Sequence, residues 1–327
     1  MRVRRRRFER LGQHRRRLSR PVISVGNLSL GGTGKSPVVA AIARWLIDQG
    51  QRPAILSRGY ARADHVDGVV VVADGNAILD TVERSGDEPL MLARQVSGAI
   101  VCVSPDRHLS GTMAEQLGAT VHVLDDGFQH LELARDLDIL VTSVGEIPNG
   151  RVIPAGRLRE PKDAAARAHV LVVSDATAGA AAAEAWALGI SQACGARRAL
   201  GAPVGIGASF DVAQGEPGSG LRADRVLAVA GIANPDRFVT ALKDDGWNVV
   251  DAMRFADHHR YTPADSASIA NRAAAAAATA VFTTDKDAVR LEAVAEAALQ
   301  TRLYRVPLHL EFDPPGVLFE SVGAVLT

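Results

Sequence analysis

Cysteine is nearly missing from this chain. Cys102 and Cys194 are the only two in 327 residues, so no disulfide framework is indicated and a reducing cytoplasm fits. Aromatic residues are scarce at 4%, which leaves few platforms for stacking nucleic-acid bases. No apolar run approaches the ~18 residues that a membrane-spanning helix needs, and the arginine-rich start lacks the apolar stretch of a secretory signal. The chain is therefore expected neither to cross a bilayer nor to be exported.

What is present suits a globular protein. At 47% hydrophobic over 327 residues, the chain can bury a sizeable core and has length for two domains. Its charge is zero overall but segregated: ten arginines against Glu9 alone give the first twenty residues +9, offset by −9 over the remainder. An arm reading Arg4-Arg5-Arg6-Arg7 and Arg15-Arg16-Arg17 suits an anionic partner, either a phospholipid surface or a nucleic acid, and equally a solvated start. The acidic body and the few aromatics argue against a nucleic-acid binder.

The most informative stretch is Ser29-Leu30-Gly31-Gly32-Thr33-Gly34-Lys35-Ser36, between the apolar run 21–25 and the periodic segment 38–46. Strand, glycine-rich turn and helix in that order hold a polyphosphate. The glycines let backbone N–H groups turn inward, the helix offers its positive end, Lys35 reaches the β and γ phosphates, and the Ser36 hydroxyl can ligate Mg²⁺. Ser29 stands where the usual pattern has glycine, so this is a variant P-loop. A turn that only packs helix on strand would not require the Lys-Ser pair.

Further along, short apolar strands at 53–57, 99–103, 121–124 and 137–141 alternate with helical patterns. That alternation implies an α/β fold with a mostly parallel sheet flanked by helices, in which ligands collect at the carboxyl ends of the strands. Three polar clusters fall there: Ser57-Arg58-Gly59-Tyr60, Asp106-Arg107, and Asp125-Asp126-Gly127-Phe128-Gln129-His130. Residues 201–220, rich in Gly, Pro and Ser, read as a connection. Alternation then restarts, with strands at 226–230, 247–253 and 280–283 and helices at 235–243 and 264–278. The expected organisation is a basic arm at 1–20, a nucleotide-binding domain at 21–222 and a second, smaller α/β domain at 223–327.

Asp125 ends an apolar strand, where a P-loop protein places the acid that holds Mg²⁺ directly or through water; capping of a following helix is the bland alternative. Asp87 and Glu88 sit in a turn just before the periodic segment 90–93, as helix caps or as metal or base groups. Asp257-His258-His259 follows the strand at 247–253. Adjacent histidines cannot both point the same way, so one could face a cleft while its neighbour packs.

Taken together, these segments resemble the tetraacyldisaccharide 4′-kinase family. The motifs run in the family's order: 25–27 with 31–37, 57–60, 86–89, 106–107, 125–130, Ile153-Pro154-Ala155-Gly156-Arg157-Leu158-Arg159-Glu160-Pro161, 230–235, 257–259 and Thr283-Thr284-Asp285-Lys286-Asp287. The resemblance spans about residues 21 to 290. It implies ATP-dependent phosphorylation of the 4′-hydroxyl of an acylated glucosamine disaccharide 1-phosphate at the cytoplasmic face of the inner membrane, with Mg²⁺ as cofactor.

By the same resemblance, Asp87 corresponds to the catalytic base and His258 to the histidine paired with it. Residues Ser29 to Ser36 correspond to the nucleotide loop. Ser36, Glu88, Asp125, Asp126 and Glu160 match positions around the metal and nucleotide, and Arg58, Tyr60, Arg107, Gln129 and Arg159 match positions near the transferred phosphate or sugar. Asp87 and His258 fall in different expected domains, so closure of a cleft is expected to bring them together. Relatives usually carry an apolar amino-terminal helix where this chain has its arginine arm: either the encoded start lies downstream of the true one, or attachment to the membrane is mainly electrostatic. A nucleotide-switch GTPase or metallochaperone would share the P-loop, but Lys286 and Asp287 are adjacent, which does not fit guanine recognition.

Overall fold

Residues 22–26 are apolar or small and fully buried, which is what a strand covered on both faces requires. They form β1 (Val22–Gly26) in a computed structural model that describes residues 15–31, 34–59, 67–206, 224–300 and 302–326. The glycine-rich turn leads into α1 (Lys35–Asp48), which buries Val38, Val39, Ile42 and Leu46 along one face. There follow β2 (Pro53–Ser57), β3 (Val70–Asp74), α2 (Val82–Ser85), α3 (Asp87–Gln95), β4 (Ile100–Val103), α4 (Arg107–Gln116), β5 (Val121–Asp125), β6 (Leu137–Ser143), β7 (Val170–Ser174), α5 (Ala178–Leu188) and β8 (Gln192–Leu200).

These strands belong to a first unit comprising residues 1–198 and 310–327. Its neighbours β1, β2, β4, β5, β6, β7 and β8 pair in parallel, while β3 runs antiparallel at one edge. The order β7-β6-β1-β5-β2-β4-β3 reverses direction at β1, since the chain first builds outward on the β5 side and then crosses to β6. Such a reversal opens a crevice at the strand's carboxyl end. The phosphate loop leaves β1 at that crevice.

The second unit, residues 199–309, contains β9 (Val204–Gly205), β10 (Arg225–Ala230), α6 (Pro235–Asp244), β11 (Asn248–Arg254), α7 (Pro263–Ala275), β12 (Ala280–Thr284), α8 (Asp285–Leu291), α9 (Ala297–Gln300) and β13 (Leu303–Val306). Its sheet order is β11-β10-β12-β13-β9, parallel except for β9. Alternate residues serve opposite faces: Leu227, Val229 and Val281 pack with Ile269 on one side, and Val226, Ala228 and Phe282 with Phe238 and Leu242 on the other. Both faces are therefore covered, as the α/β pattern requires.

The chain then returns to the first unit through β14 (Leu308–Asp313), which lies beside β8, and α10 (Pro315–Gly323). Phe319 stacks on Trp45 of α1 with ring centroids 5.5 Å apart, and Leu318 is fully buried. The units divide at 198/199 and 309/310, whereas the sequence reading divides the chain at 222/223 and keeps residues to 327 in the second domain. The difference arises because β14 completes the first sheet from a distance in sequence that no local pattern reveals. Residues 1–14 of the basic arm and 207–223 of the Gly/Pro/Ser-rich connection lie outside the described residues.

Candidate active site

The site in the first unit grows from the loop after β1. Gly26 can take no side chain, because a Cβ there would lie 2.6 Å from both Cβ and N of Phe128. That close approach lays the 125–130 segment against the loop. Residues 28–30 are held by a second segment: Arg159 N donates to Leu28 O, Leu30 N donates to Arg157 O, and Ser29 bridges Leu158. Leu30 is exposed and its carbonyl accepts from the Arg157 guanidinium. Gly31 has φ 115, and Gly34 is the left-handed N-cap of α1 with φ 88 and no side-chain cap. The first turn of α1 carries no acidic side chain, so its backbone N–H groups suit an anion. Gly32 and Thr33 fall outside the described residues, as does Tyr60.

Lys35 and Ser36 open α1. Lys35 Nζ lies 3.6 Å from Asp126 Oδ1, and Arg159 Nη1 donates to the same carboxylate at 2.9 Å and to Gln129 Oε1 at 3.3 Å. Gln129 in turn donates to Asn27 O at 2.8 Å. Asp126 adopts φ 53, a strained conformation for a residue with a Cβ. Burial would raise its pKa, but Lys35, Arg159 and Arg107 outweigh that and hold it below the ordinary carboxylate range.

Asp125 is the opposite case. Its β5 register places it beside Val25 of β1, and its carboxylate accepts from Ser57 Oγ at 3.3 Å. Burial, then the charges of Glu88 and Asp126, push it up to about 7 against the pull of Lys35 and Arg107. The uncompensated negative charge around Asp125 and its hard oxygen suit a partly hydrated Mg²⁺. Among the described residues no three His, Cys, Asp or Glu converge into a metal cage, so Ser36, these carboxylates and nucleotide oxygens would share such an ion.

Arg107 opens α4 and is nearly fully buried; burial lowers it to about 10 despite Asp125 and Asp126, with Arg58 pushing the same way as burial. Its neighbour Asp106 caps α4 by accepting from His108 N and Leu109 N, and also pairs with Arg16 at 2.6 Å. Arg17 lies 3.7 Å from Asp136, so part of the basic arm is engaged within the protein. Asp87 and Glu88 occupy the first turn of α3 rather than a preceding turn, and the N-cap is Gly86 with no side-chain cap. Glu160 is turned to Arg167, which donates to both its oxygens at 3.0 Å and lies 4.7 Å over the Phe128 ring.

Sequence reading did not single out His130. Its ring is pushed down to about 4 by burial, then by Arg107 and Arg135, and its Nε2 has no hydrogen-bond partner among the described residues. Its place in the 125–130 segment, behind two strand-end aspartates, was the available signal.

In the second unit the structure separates the two histidines. His259 packs between Phe255 and Tyr261, with ring centroids 4.7 and 5.0 Å away, and its Nε2 faces Asp265 at 3.2 Å. His258 is partly exposed and adopts φ 59. Asp287 is fully buried, accepting from Gly231 N, Tyr261 OH and Thr284 Oγ1, so Lys286-Asp287 does not form a guanine reader.

The comparisons accord with this geometry. The family model described as tetraacyldisaccharide-1-P 4′-kinase (LpxK) matches residues 1–326. A tetraacyldisaccharide 4′-kinase of Pelobacter propionicus is 44% identical over 281 residues, covering 84% of this chain and 75% of that protein. One from Geobacter sulfurreducens is 42% identical over 316 residues, covering 95% and 85%. The crystal structure of LpxK from Aquifex aeolicus in complex with ATP superposes with a TM-score of 0.78 at 28% identity, over 99% of this chain and 94% of that one. A whole-length model match and these relatives, on a chain whose first unit gathers Lys35, Asp125 and Asp126 at one strand end, establish that it belongs to the tetraacyldisaccharide-1-phosphate 4′-kinase family.

Proposed function

We propose that the chain transfers the γ-phosphoryl group of ATP to the 4′-hydroxyl of an acylated glucosamine disaccharide 1-phosphate, a step of lipid A biosynthesis. The carrying observation is the convergence of Lys35 with Asp125 and Asp126 at the ends of β1 and β5 in a chain whose relatives bear that kinase name. Backbone N–H groups of the loop and Lys35 hold the β and γ phosphates, and Arg58, Arg107 and Arg159 supply positive charge where it develops on transfer. When bound, Mg²⁺ supplies charge neutralisation at the phosphate oxygens. Ser36, Asp125, Asp126 and Glu88 would hold it, while Glu160 orients this segment through Arg167.

Asp87 receives the sugar proton as the bond to phosphorus forms, and His258 is the imidazole that works with it. The packing of His259 favours His258 for that role. The lipid substrate places the protein at the inner-membrane surface on the cytoplasmic side. No helix of the described residues is long and apolar enough to cross a membrane. Attachment is electrostatic through the basic arm, each free arginine near an anionic surface contributing on the order of 1 kcal/mol.

The deciding assay is incubation with ATP, Mg²⁺ and the acylated disaccharide phosphate, read by mass analysis for one added phosphate on the distal sugar. Asp87→Ala is expected to slow the chemical step by about 10²–10⁴ with ATP affinity nearly intact. Loss of ATP binding alone would make Asp87 a nucleotide contact instead. If Asp87 and His258 act as a unit, the double variant loses little beyond either single one. Vesicle binding with and without residues 1–20 across a salt series tests the arm, and indifference to both would refute electrostatic attachment.

A further inference from the structure

His258 Nε2 lies 3.1 Å from Lys286 Nζ; the Asp257 Oδ1 beside it is 3.9 Å from Nε2, beyond hydrogen-bond reach, and 3.5 Å from the same ammonium. A lysine ammonium has three donors and no acceptor, so it is the imidazole nitrogen that accepts. A ring nitrogen that accepts carries no proton, and the proton of the neutral ring then sits on Nδ1. The next residue is in the reverse state. His259 Nε2 faces the Asp265 carboxylate at 3.2 Å, a group that only accepts, so the His259 proton sits on Nε2.

Lys286 is fixed by its place in the fold. It is the second residue of α8, directly after β12, and its flanking carboxylates are committed elsewhere. Asp285 accepts from Arg305 Nη1 at 2.7 Å, and Asp287 accepts from Gly231 N and Tyr261 OH. The lysine side chain is only 18% exposed, and His258 is held in the left-handed backbone region, which aims its ring through a turn that side chains with a Cβ seldom adopt.

We infer that Lys286 is a positioning residue that fixes His258 as the Nδ1–H tautomer. Nε2 is retained by the ammonium, Asp257 steadies that ammonium, and the proton of the neutral ring is kept on Nδ1. The catalytic consequence rests on the assignment of His258 as the partner of Asp87. The tautomer does not.

The test is long-range ¹H–¹⁵N correlation of the full chain labelled at histidine, without nucleotide, in a buffer alkaline enough that imidazolium signals are absent from the spectrum; His258→Gln and His259→Gln spectra assign the signals. His258 is expected to be protonated at Nδ1 and His259 at Nε2. In Lys286→Met the His258 proton moves to Nε2 while the His259 signals stay in place, which also reports that the unit is folded. Lys286→Arg, which keeps a donor, restores Nδ1–H. In turnover, Lys286→Met lowers kcat about tenfold, as for loss of one oriented hydrogen bond, with KM for ATP steady. A wild-type His258 protonated at Nε2, or a tautomer unchanged in Lys286→Met, overturns the inference. Full turnover in His258→Ala would instead overturn the catalytic assignment beneath it, leaving the measured tautomer standing.

Discussion

Replacing Asp125 with asparagine is expected to make the ligand-free protein more stable as pH rises, relative to the wild type. The folded carboxyl keeps its proton until about pH 7, because burial and the charges of Glu88 and Asp126 oppose ionisation. In the unfolded chain it loses that proton near 3.8. Across that window the folded state binds more protons, so raising pH favours unfolding of the wild type. Asparagine does not titrate. Whatever it costs in hydrogen bonding with Ser57 is the same at every pH, so the pH-dependent part of the difference isolates the carboxyl. The variant's relative gain grows by about 1.4 kcal/mol per pH unit up to about pH 7 and levels off above. Between pH 5 and pH 8 that is on the order of 2–3 kcal/mol. For a unit of this size it corresponds to a relative rise in Tm of about 5–10 °C. Calorimetry of both proteins without metal or nucleotide at several pH values reads it directly. A difference that stays flat with pH, or shrinks as pH rises, would refute the account of strain at Asp125.

The same carboxyl predicts that binding of Mg²⁺ and ATP near pH 7 releases a proton, seen as a heat that varies with the ionisation enthalpy of the buffer, and that Asp125→Asn abolishes this dependence. Gly26→Ala forces a Cβ against the backbone and Cβ of Phe128 and is expected to cost about 1–3 kcal/mol, measured as a lower urea midpoint together with weaker ATP binding. Leu318→Ala empties a fully buried position and is expected to cost about 2–5 kcal/mol. That loss should fall in the unit that binds ATP, which nucleotide-dependent protection from unfolding would detect.

The loop and the strand-end carboxylates were legible in the sequence because their chemistry is local. A strand, a glycine-rich turn and Lys35-Ser36 follow one another directly, and Asp125 closes its own apolar run. The opposed electrostatics of Asp125 and Asp126 were not legible, since they depend on Glu88, Arg107 and Arg159, which reach them from other elements. The different surroundings of His258 and His259 were likewise not legible, since they depend on Phe255 and Tyr261 packing against His259. The edge strand β3 and the return of β14 escaped for a related reason. Sequence reading named no strand at 308–313, and nothing in those residues names β8 as a neighbour. In the arm, the count of arginines overstated what remains for a partner, because Arg16 is paired with Asp106.

Because the second unit is inserted between β8 and β14, the ribosome makes all of residues 199–309 before it supplies the strand and helix that finish the first unit. Until then the face of Trp45 awaits Phe319, and one margin of the larger sheet stands unclaimed. A nascent chain halted before residue 310 would already carry the glycine-rich loop and both strand-end aspartates and yet lack the pieces that seal their scaffold.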